Sequence, residues 1–301
     1  MSHVPVMSRQ VLEILDPSHG KLYIDCTLGS GGHSGEILAA THGRARILGI
    51  DKDPQAIERS RVRLREFETQ VTYVNSDFRY LREIVREQGI SGADGIMFDF
   101  GVSSPQLDSP ERGFSYLHDA PLDMRMDPSQ GITAAEIVNT WSEAELARAI
   151  RRFGEERWAE RIAKFTVARR RIGLIDTTGQ LVEVIKAAIP AGARRTGPHP
   201  AKRTFQALRI AVNDELSAIA EGLRQVPYVL VEGGVAIAIS FHSLEDRIVK
   251  QAFREMVGTG DFSALTKKPI VPGPGEIEEN PRARSAKLRA ARKVLEAGEV
   301  E

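Results

Sequence analysis

Asp25-Cys26-Thr27-Leu28-Gly29-Ser30-Gly31-Gly32-His33-Ser34-Gly35 follows directly on the apolar run Leu22 to Ile24. A short apolar run that ends in a glycine cluster is how an α/β fold opens a nucleotide site. Glycines let the backbone turn tightly and approach a ligand, and the helix that follows offers its free N–H groups. A second run, Ile47 to Ile50, ends in Asp51. That lies about twenty residues on, the separation at which a carboxylate takes up ribose hydroxyls. Together they predict a site for an adenosine-bearing cofactor.

The glycine pattern narrows the choice. Ser34 stands where the dinucleotide fingerprint needs its third glycine, and no Gly-Lys-Ser/Thr follows to make a P-loop. What remains is the looser glycine turn of S-adenosylmethionine methyltransferases, whose cofactor has no phosphate to cradle. Two further segments carry polar groups where strands should end. Phe98-Asp99-Phe100-Gly101-Val102-Ser103-Ser104-Pro105-Gln106 has the aspartate, but not the Pro-Pro-aromatic turn, of amino-directed DNA methyltransferases. Ser240-Phe241-His242-Ser243-Leu244-Glu245-Asp246 reads as a helix start, with Ser243 and Asp246 as a capping box. His242 is then either a substrate contact or a structural histidine. The histidines and Cys26 fall into no metal-ligand spacing, so no metal is expected in catalysis. No G-x-S-x-G elbow surrounds Ser103 or Ser104, which excludes a serine nucleophile of that type.

The elements that must position these groups alternate strand and helix. Strands are expected at Leu22 to Thr27, Ile47 to Asp51, Val71 to Val74, Gly95 to Phe98 and Val235 to Ile239, with Asp53 and Pro54 starting a helix. Right-handed crossovers make the sheet parallel and bring Gly31, Asp51, Phe78 and Asp99 to its carboxyl ends. From about residue 110 to 200 the spacing turns helical: Leu146, Ile150 and Phe153, then Trp158, Ile162 and Phe165, then Leu181, Val184 and Ile185 behind Thr177 and Thr178. The division expected is 1–109 with 201–301 as core and 110–200 as an all-helical insertion for substrate recognition. One helix through Phe205, Leu208, Val212, Leu216 and Ile219 leads back into the core, and a basic tail, Arg282 to Lys293, closes the chain.

With 301 residues the chain can bury a large core plus an insertion, and its single cysteine rules out an internal disulfide. No apolar stretch suits a membrane span and the first ten residues lack a signal-peptide layout, so the cytoplasm is expected. Formal net charge is zero, so binding to a polyanion must come from local clusters. Those are Arg169 to Arg171, Arg194 with Arg195, Lys202 with Arg203, and the basic tail.

Nearly end to end, the chain resembles the MraW-type 16S ribosomal RNA cytosine N4-methyltransferases. The resemblance is carried by His3-Val4-Pro5-Val6-Met7, Gly31-Gly32-His33-Ser34, Gly101 to Asp108, Pro121-Leu122-Asp123-Met124-Arg125-Met126-Asp127, Thr204 to Ile210, Ser240 to Arg247 and Asn280 to Ser285. It implies a Rossmann-like class I S-adenosylmethionine-dependent methyltransferase. The cofactor would lie against Gly31, Gly32, His33, Asp51, Phe78, Asp99 and Gln106, and the target would be a decoding-centre cytosine of the small ribosomal subunit. Asp99 is the candidate acceptor of the amino protons, although a cofactor role competes for it. Ser103, Ser104, Asp123, Arg125 and His242 are candidate contacts to the base or its phosphate, and Arg194, Arg195, Lys202 and Arg203 to the RNA backbone. Two rivals stand beside this reading: a methyltransferase with a DNA or protein acceptor, and a non-catalytic RNA-binding assembly factor.

Overall fold

The computed structural model describes residues 5–18, 20–195 and 197–294, which fall into two compact units. One comprises 1–101 with 216–301, the other 102–215.

The first unit is built on a seven-stranded sheet. Its strands are β1 (Leu22–Asp25), β2 (Arg46–Asp51), β3 (Val71–Asn75), β4 (Ala93–Asp99), β5 (Leu230–Ser240), β6 (Phe262–Ala264) and β7 (Lys287–Lys293). They lie in the order β3-β2-β1-β4-β5-β7-β6. The first five are parallel, with Ile24 beside both Leu48 and Ile96. Strand order reverses between β1 and β4, which makes the fold Rossmann-like and puts its ligand crevice at their carboxyl ends. Both faces are covered. Ile24, Leu48, Ile50, Phe98 and Ala236 pack into one cluster and Tyr23, Ile47, Met97, Val235 and Ile237 into the other. Burial on both sides is why these strands read as continuous apolar runs and not as alternation.

Three sequence expectations need correction here. The basic tail is not a tail: Lys287–Lys293 is β7, antiparallel to both β5 and β6 and lying between them. Its Leu288, Ala290 and Ala291 are buried, and three of its four cations are engaged locally while Arg292 stays exposed. Lys287 Nζ and Arg289 Nε hold Asp246 at 3.0 and 2.9 Å, and Lys293 Nζ donates to the carbonyls of Pro227 and Leu230 at 2.8 and 2.9 Å. The capping box also differs. His242 is the N-cap of helix Ser243–Gly258 and Glu245 its reciprocal partner, which leaves Asp246 to those two cations. Finally, the helix through Phe205 and Ile219 is two helices, Lys202–Asn213 and Glu215–Val229, separated by Asp214 in the left-handed region at φ 48°. Asp tolerates that conformation better than most residues.

The second unit is helical with a core of its own. Leu122, Ile137, Leu146, Ile150, Ile162, Leu181, Ile185, Phe205 and Leu208 are among its buried residues. Phe205 and Leu208 explain why this unit reaches 215, since their helix turns its apolar face to the other helices. Thr133, Ser142 and Thr177 start three of those helices, each with a Glu or Gln three residues later completing a capping box.

Candidate active site

The loops after β1 and β2 are fastened by two carboxylates. Asp25 ends β1 almost fully buried, accepts from Ser34 Oγ at 2.7 Å and from the Thr27 N–H at 3.2 Å, and so ties the first turn of helix Gly32–Ala40 beneath the strand. Burial raises its pKa, against the opposing pull of His33 and Ser34. Asp51 ends β2 and accepts one N–H on each oxygen, from Gly29 at 2.7 Å and from Asp53 at 2.9 Å. Desolvation pushes its pKa up to about 6. Between these anchors Gly31 has φ +74°, and a Cβ there would lie 2.9 Å from Leu64 Cδ1. The positive φ favours glycine here, and the close approach of Leu64 adds to that preference.

Asp99 ends β4 with its N–H donated to Thr27 Oγ1 at 2.6 Å, so the ends of β1 and β4 are locked together. Its Oδ2 lies 3.5 Å from His33 Nε2, while Oδ1 is buried without a partner among the described residues. Both ring nitrogens of His33 likewise lack a hydrogen bond there, and the residue is 6% exposed. Phe78, after β3, packs on Phe98 and Phe100 with centroids 5.7 and 5.8 Å away. That makes an apolar bed at the third strand end. After β5, His242 Nδ1 accepts the Glu245 N–H at 3.3 Å and its Nε2 lies 3.1 Å from Glu245 Oε1, so the ring serves as the helix cap. The structure thus brings Gly31, Gly32, His33, Asp51, Phe78 and Asp99 to the carboxyl ends of adjacent strands.

The remaining predicted residues belong to the helical unit. Gln106 is buried in the short helix Ser104–Asp108, and its Oε1 accepts the Ser103 N–H at 2.9 Å. Arg125 grips Asp123 through Nε and Nη2, both at 2.8 Å. Burial alone would raise the Asp123 pKa, but Arg125, with help from Arg112, carries it below the usual carboxylate range. The loop they stand on is clasped by Arg112, which donates to the carbonyls of Arg125 and Met126, and by Asn213, which spans Met124 and Met126. Arg194, Arg195, Lys202 and Arg203 are exposed. Arg203 still donates to the Glu155 carbonyl at 3.1 Å.

The model of the MraW methylase family matches residues 1–294. The chain belongs to that family. It is 51% identical over 308 aligned positions to a ribosomal RNA small subunit methyltransferase H of Heliobacterium modesticaldum, covering 97% of this chain and 98% of that one. It is 50% identical over 312 positions to the protein of the same name in Symbiobacterium thermophilum, covering 99% and 98%. A putative rRNA-methylase of known structure from Clostridium thermocellum aligns at a TM-score of 0.48 and 10% identity, covering 98% and 99%, too distant a likeness to carry an argument.

The MraW methylase is an S-adenosylmethionine-dependent enzyme, and the residues present suit that cofactor. Asp51 keeps acceptor capacity on both oxygens beyond the two N–H groups that orient it, as a ribose diol requires. The buried, unpartnered Oδ1 of Asp99 and nitrogens of His33 are groups that a polar ligand would satisfy. Sequence reasoning missed Asp25, Thr27 and Asp77. Asp77 caps the turn at Phe78, accepting the Arg79 N–H at 3.0 Å, and lies 3.3 Å from Lys52 Nζ. Each stands at or just past a strand end, and that position was the signal available for finding them. No helix among the described residues is long and apolar enough to cross a membrane.

Proposed function

We propose that this methylase transfers the methyl group of S-adenosylmethionine to the exocyclic N4 of a decoding-centre cytosine in small-subunit ribosomal RNA, in the cytoplasm. The relatives near 50% identity, matched over almost their whole length and named as small-subunit ribosomal RNA methyltransferases, support that RNA as the substrate, and the choice of cytosine N4 rests on the motif resemblance. The observation that carries the chemistry is Asp99: a carboxylate locked at a strand end, with one oxygen beside His33 and the other buried without a protein partner.

When bound, S-adenosylmethionine supplies an electrophilic methyl carbon on a sulfonium. Asp51 would hold the ribose, Gly31 and Gly32 would let the backbone come close, and Phe78 would pack against the adenine. The cytosine amino group is a poor nucleophile because its lone pair is delocalised into the ring. A carboxylate oxygen that accepts one of its N–H groups returns electron density to nitrogen as the N–C bond forms and the C–S bond breaks. Asp99 Oδ1 is the group assigned to that role, taking the proton that leaves nitrogen. Holding base and methyl in line supplies much of the remaining acceleration. His33, whose ring nitrogens make no hydrogen bond among the described residues, is assigned to the cofactor beside Asp99. Ser103, Ser104, Asp123, Arg125 and His242 are assigned to the base and its phosphate, and Gln106 to the cofactor. The helical unit as a whole is assigned to recognising RNA from which the base is unpaired or flipped out.

The test is labelled-methyl transfer to small ribosomal subunits, to their naked RNA and to DNA, followed by nuclease digestion and mass analysis. Label recovered as N4-methylcytidine from the ribosomal substrate is the expected result. Label confined to DNA or to protein would overturn the assignment.

A further inference from the structure

Helix Ala159–Arg170 of the helical unit buries Ala159, Ile162, Ala163 and Thr166 and turns its other side outward. Arg161, Lys164, Ala168 and Arg171 are all exposed, and their spacing of three and four residues puts them on one stripe. Arg157 stands exposed just ahead of the helix. None of these four cations forms an ion pair among the described residues. The exposed Glu160 beside them is engaged by Arg151, and Asp176 lies beyond the far end. Two of the cations lie over aromatic rings: Arg157 is 5.2 Å from the centre of Trp158 and Arg161 is 5.3 Å from that of Phe165.

The stripe ends in an apolar tip. Ile172 is 87% exposed and Leu174 61%, a costly display for a turn unless something covers it. The turn is also fastened from both sides. Arg169 donates to the Gly173 carbonyl at 2.7 Å, Arg170 to the carbonyls of Val138 and Trp141 at 2.8 and 2.7 Å, and Asn139 exchanges two hydrogen bonds with Ile175. Two arginines of the Arg169 to Arg171 cluster are therefore structural and only Arg171 is free to face a ligand.

Resting on the RNA-substrate reading above, we propose that this face is a track for an unpaired RNA strand, with Ile172 and Leu174 as a wedge at its end. The rise of 1.5 Å per residue sets Arg161 and Lys164 about 5 Å apart and Arg171 about 10 Å beyond Lys164, separations that long, flexible Lys and Arg stems can match to phosphates along one strand. Guanidinium groups laid over aromatic rings give bases a surface on which to stack. A rigid apolar tip beside a basic stripe is the device that opens a base step in nucleic-acid complexes. An acidic protein partner would use the cations but has no need of that combination.

The test compares wild type with the triple variant Arg161→Ala/Lys164→Ala/Arg171→Ala in binding a 20-nucleotide oligouridylate across a salt series. Each phosphate contact contributes about 0.7 to the log–log slope for single strands, so the variant's slope should be shallower by about two. Its KM for small ribosomal subunits should rise at least tenfold, while kcat and S-adenosylmethionine affinity stay within twofold. The conservative variant Arg161→Lys/Arg171→Lys, with Lys164 intact, should keep the wild-type slope. A second variant, Ile172→Ser/Leu174→Ser, should bind oligouridylate like wild type yet lose the fluorescence rise of 2-aminopurine placed in an RNA hairpin. Equal slopes for wild type and the triple variant would overturn the track while leaving the ribosomal substrate intact. A wild type that methylates no ribosomal RNA but keeps the slope difference would overturn the substrate reading and leave the track standing. Binding to phosphatidylserine vesicles that exceeds binding to RNA and depends on Ile172 would replace RNA with a membrane surface.

Discussion

Asp51, at the end of β2, and Asp123, on a short loop, are both half-buried aspartates, yet their proton affinities move in opposite directions. Desolvation carries Asp51 up to about 6, because the two N–H groups that hold it bring no formal charge. Asp123 goes down, because a guanidinium grips both its oxygens. The difference separates a carboxylate still waiting for a partner from one that already has its own. In the sheet unit Asp51 is oriented by backbone N–H groups and keeps acceptor capacity; in the helical unit Asp123 and Arg125 close on each other and shape a loop.

The largest effect should come from the sheet unit's least satisfied group. Asp99→Ala should lower kcat by on the order of 100-fold or more, the range for loss of a proton acceptor, as read by labelled-methyl turnover with the melting temperature as control. Turnover within twofold would reduce Asp99 to the fastening it provides through Thr27. Next, Asp51→Ala should weaken S-adenosylmethionine binding at least about tenfold, since charge-assisted hydrogen bonds contribute ~1.5–3 kcal/mol each. Asp123→Ala should leave that affinity unchanged by calorimetry and instead loosen the loop, seen as faster amide exchange at Met124 to Met126. If the two variants behaved alike, the two carboxylates would share one role.

The pH dependence sharpens it further. With only the ionised Asp51 accepting ribose hydroxyls, affinity should be about tenfold weaker at pH 5 than at pH 7.5, and Asp51→Asn should flatten the profile. In the unliganded fold the sign reverses. The folded pKa lies above the unfolded value near 3.9, so this group's stabilising contribution is complete below that value and is lost as pH rises through about 6. A flat affinity profile for the wild type would remove Asp51 from the cofactor. The smallest effect belongs to Arg194, Arg195, Lys202 and Arg203. Their joint replacement by alanine should flatten the salt dependence of subunit binding by less than four phosphate contacts' worth, at about 0.7–0.9 slope unit each, since Arg203 is already bonded to the Glu155 carbonyl.

The strand-end half of the site was legible in the sequence because its rules are local. An apolar run followed by glycines or an acid marks a buried parallel strand and its carboxyl end, and Gly31, Asp51, Phe78 and Asp99 all stand where that rule puts them. Asp53 caps its helix through the Gln55 N–H for the same reason. What could not be read depends on distant partners. Lys287, Arg289 and Lys293 look like a solvated basic segment until Asp246 and the carbonyls at 227 and 230 are in place. The break at Asp214 was hidden because Phe205 and Ile219 share one helical period while packing into different cores. Asp25 reads as any strand-terminal acid; only the Ser34 hydroxyl brought back by the helix turn reveals it as the anchor of the glycine loop.

The position of β7 bears on how the chain is made. On the ribosome the chain emerges from its amino end, so β5 has its parallel neighbour β4 long before residues 287–293 appear. Until then the far side of β5 from Val235 to Ser240 shows unpaired backbone to the cell, a template for misplaced pairing. The strand that seals β5 is therefore made after the other six strands of the sheet, and Lys287 and Arg289 arrive with it to neutralise Asp246. Chains stopped before residue 287 should collapse into a methyltransferase-like core that is soluble only while a chaperone, or the ribosome itself, covers that edge.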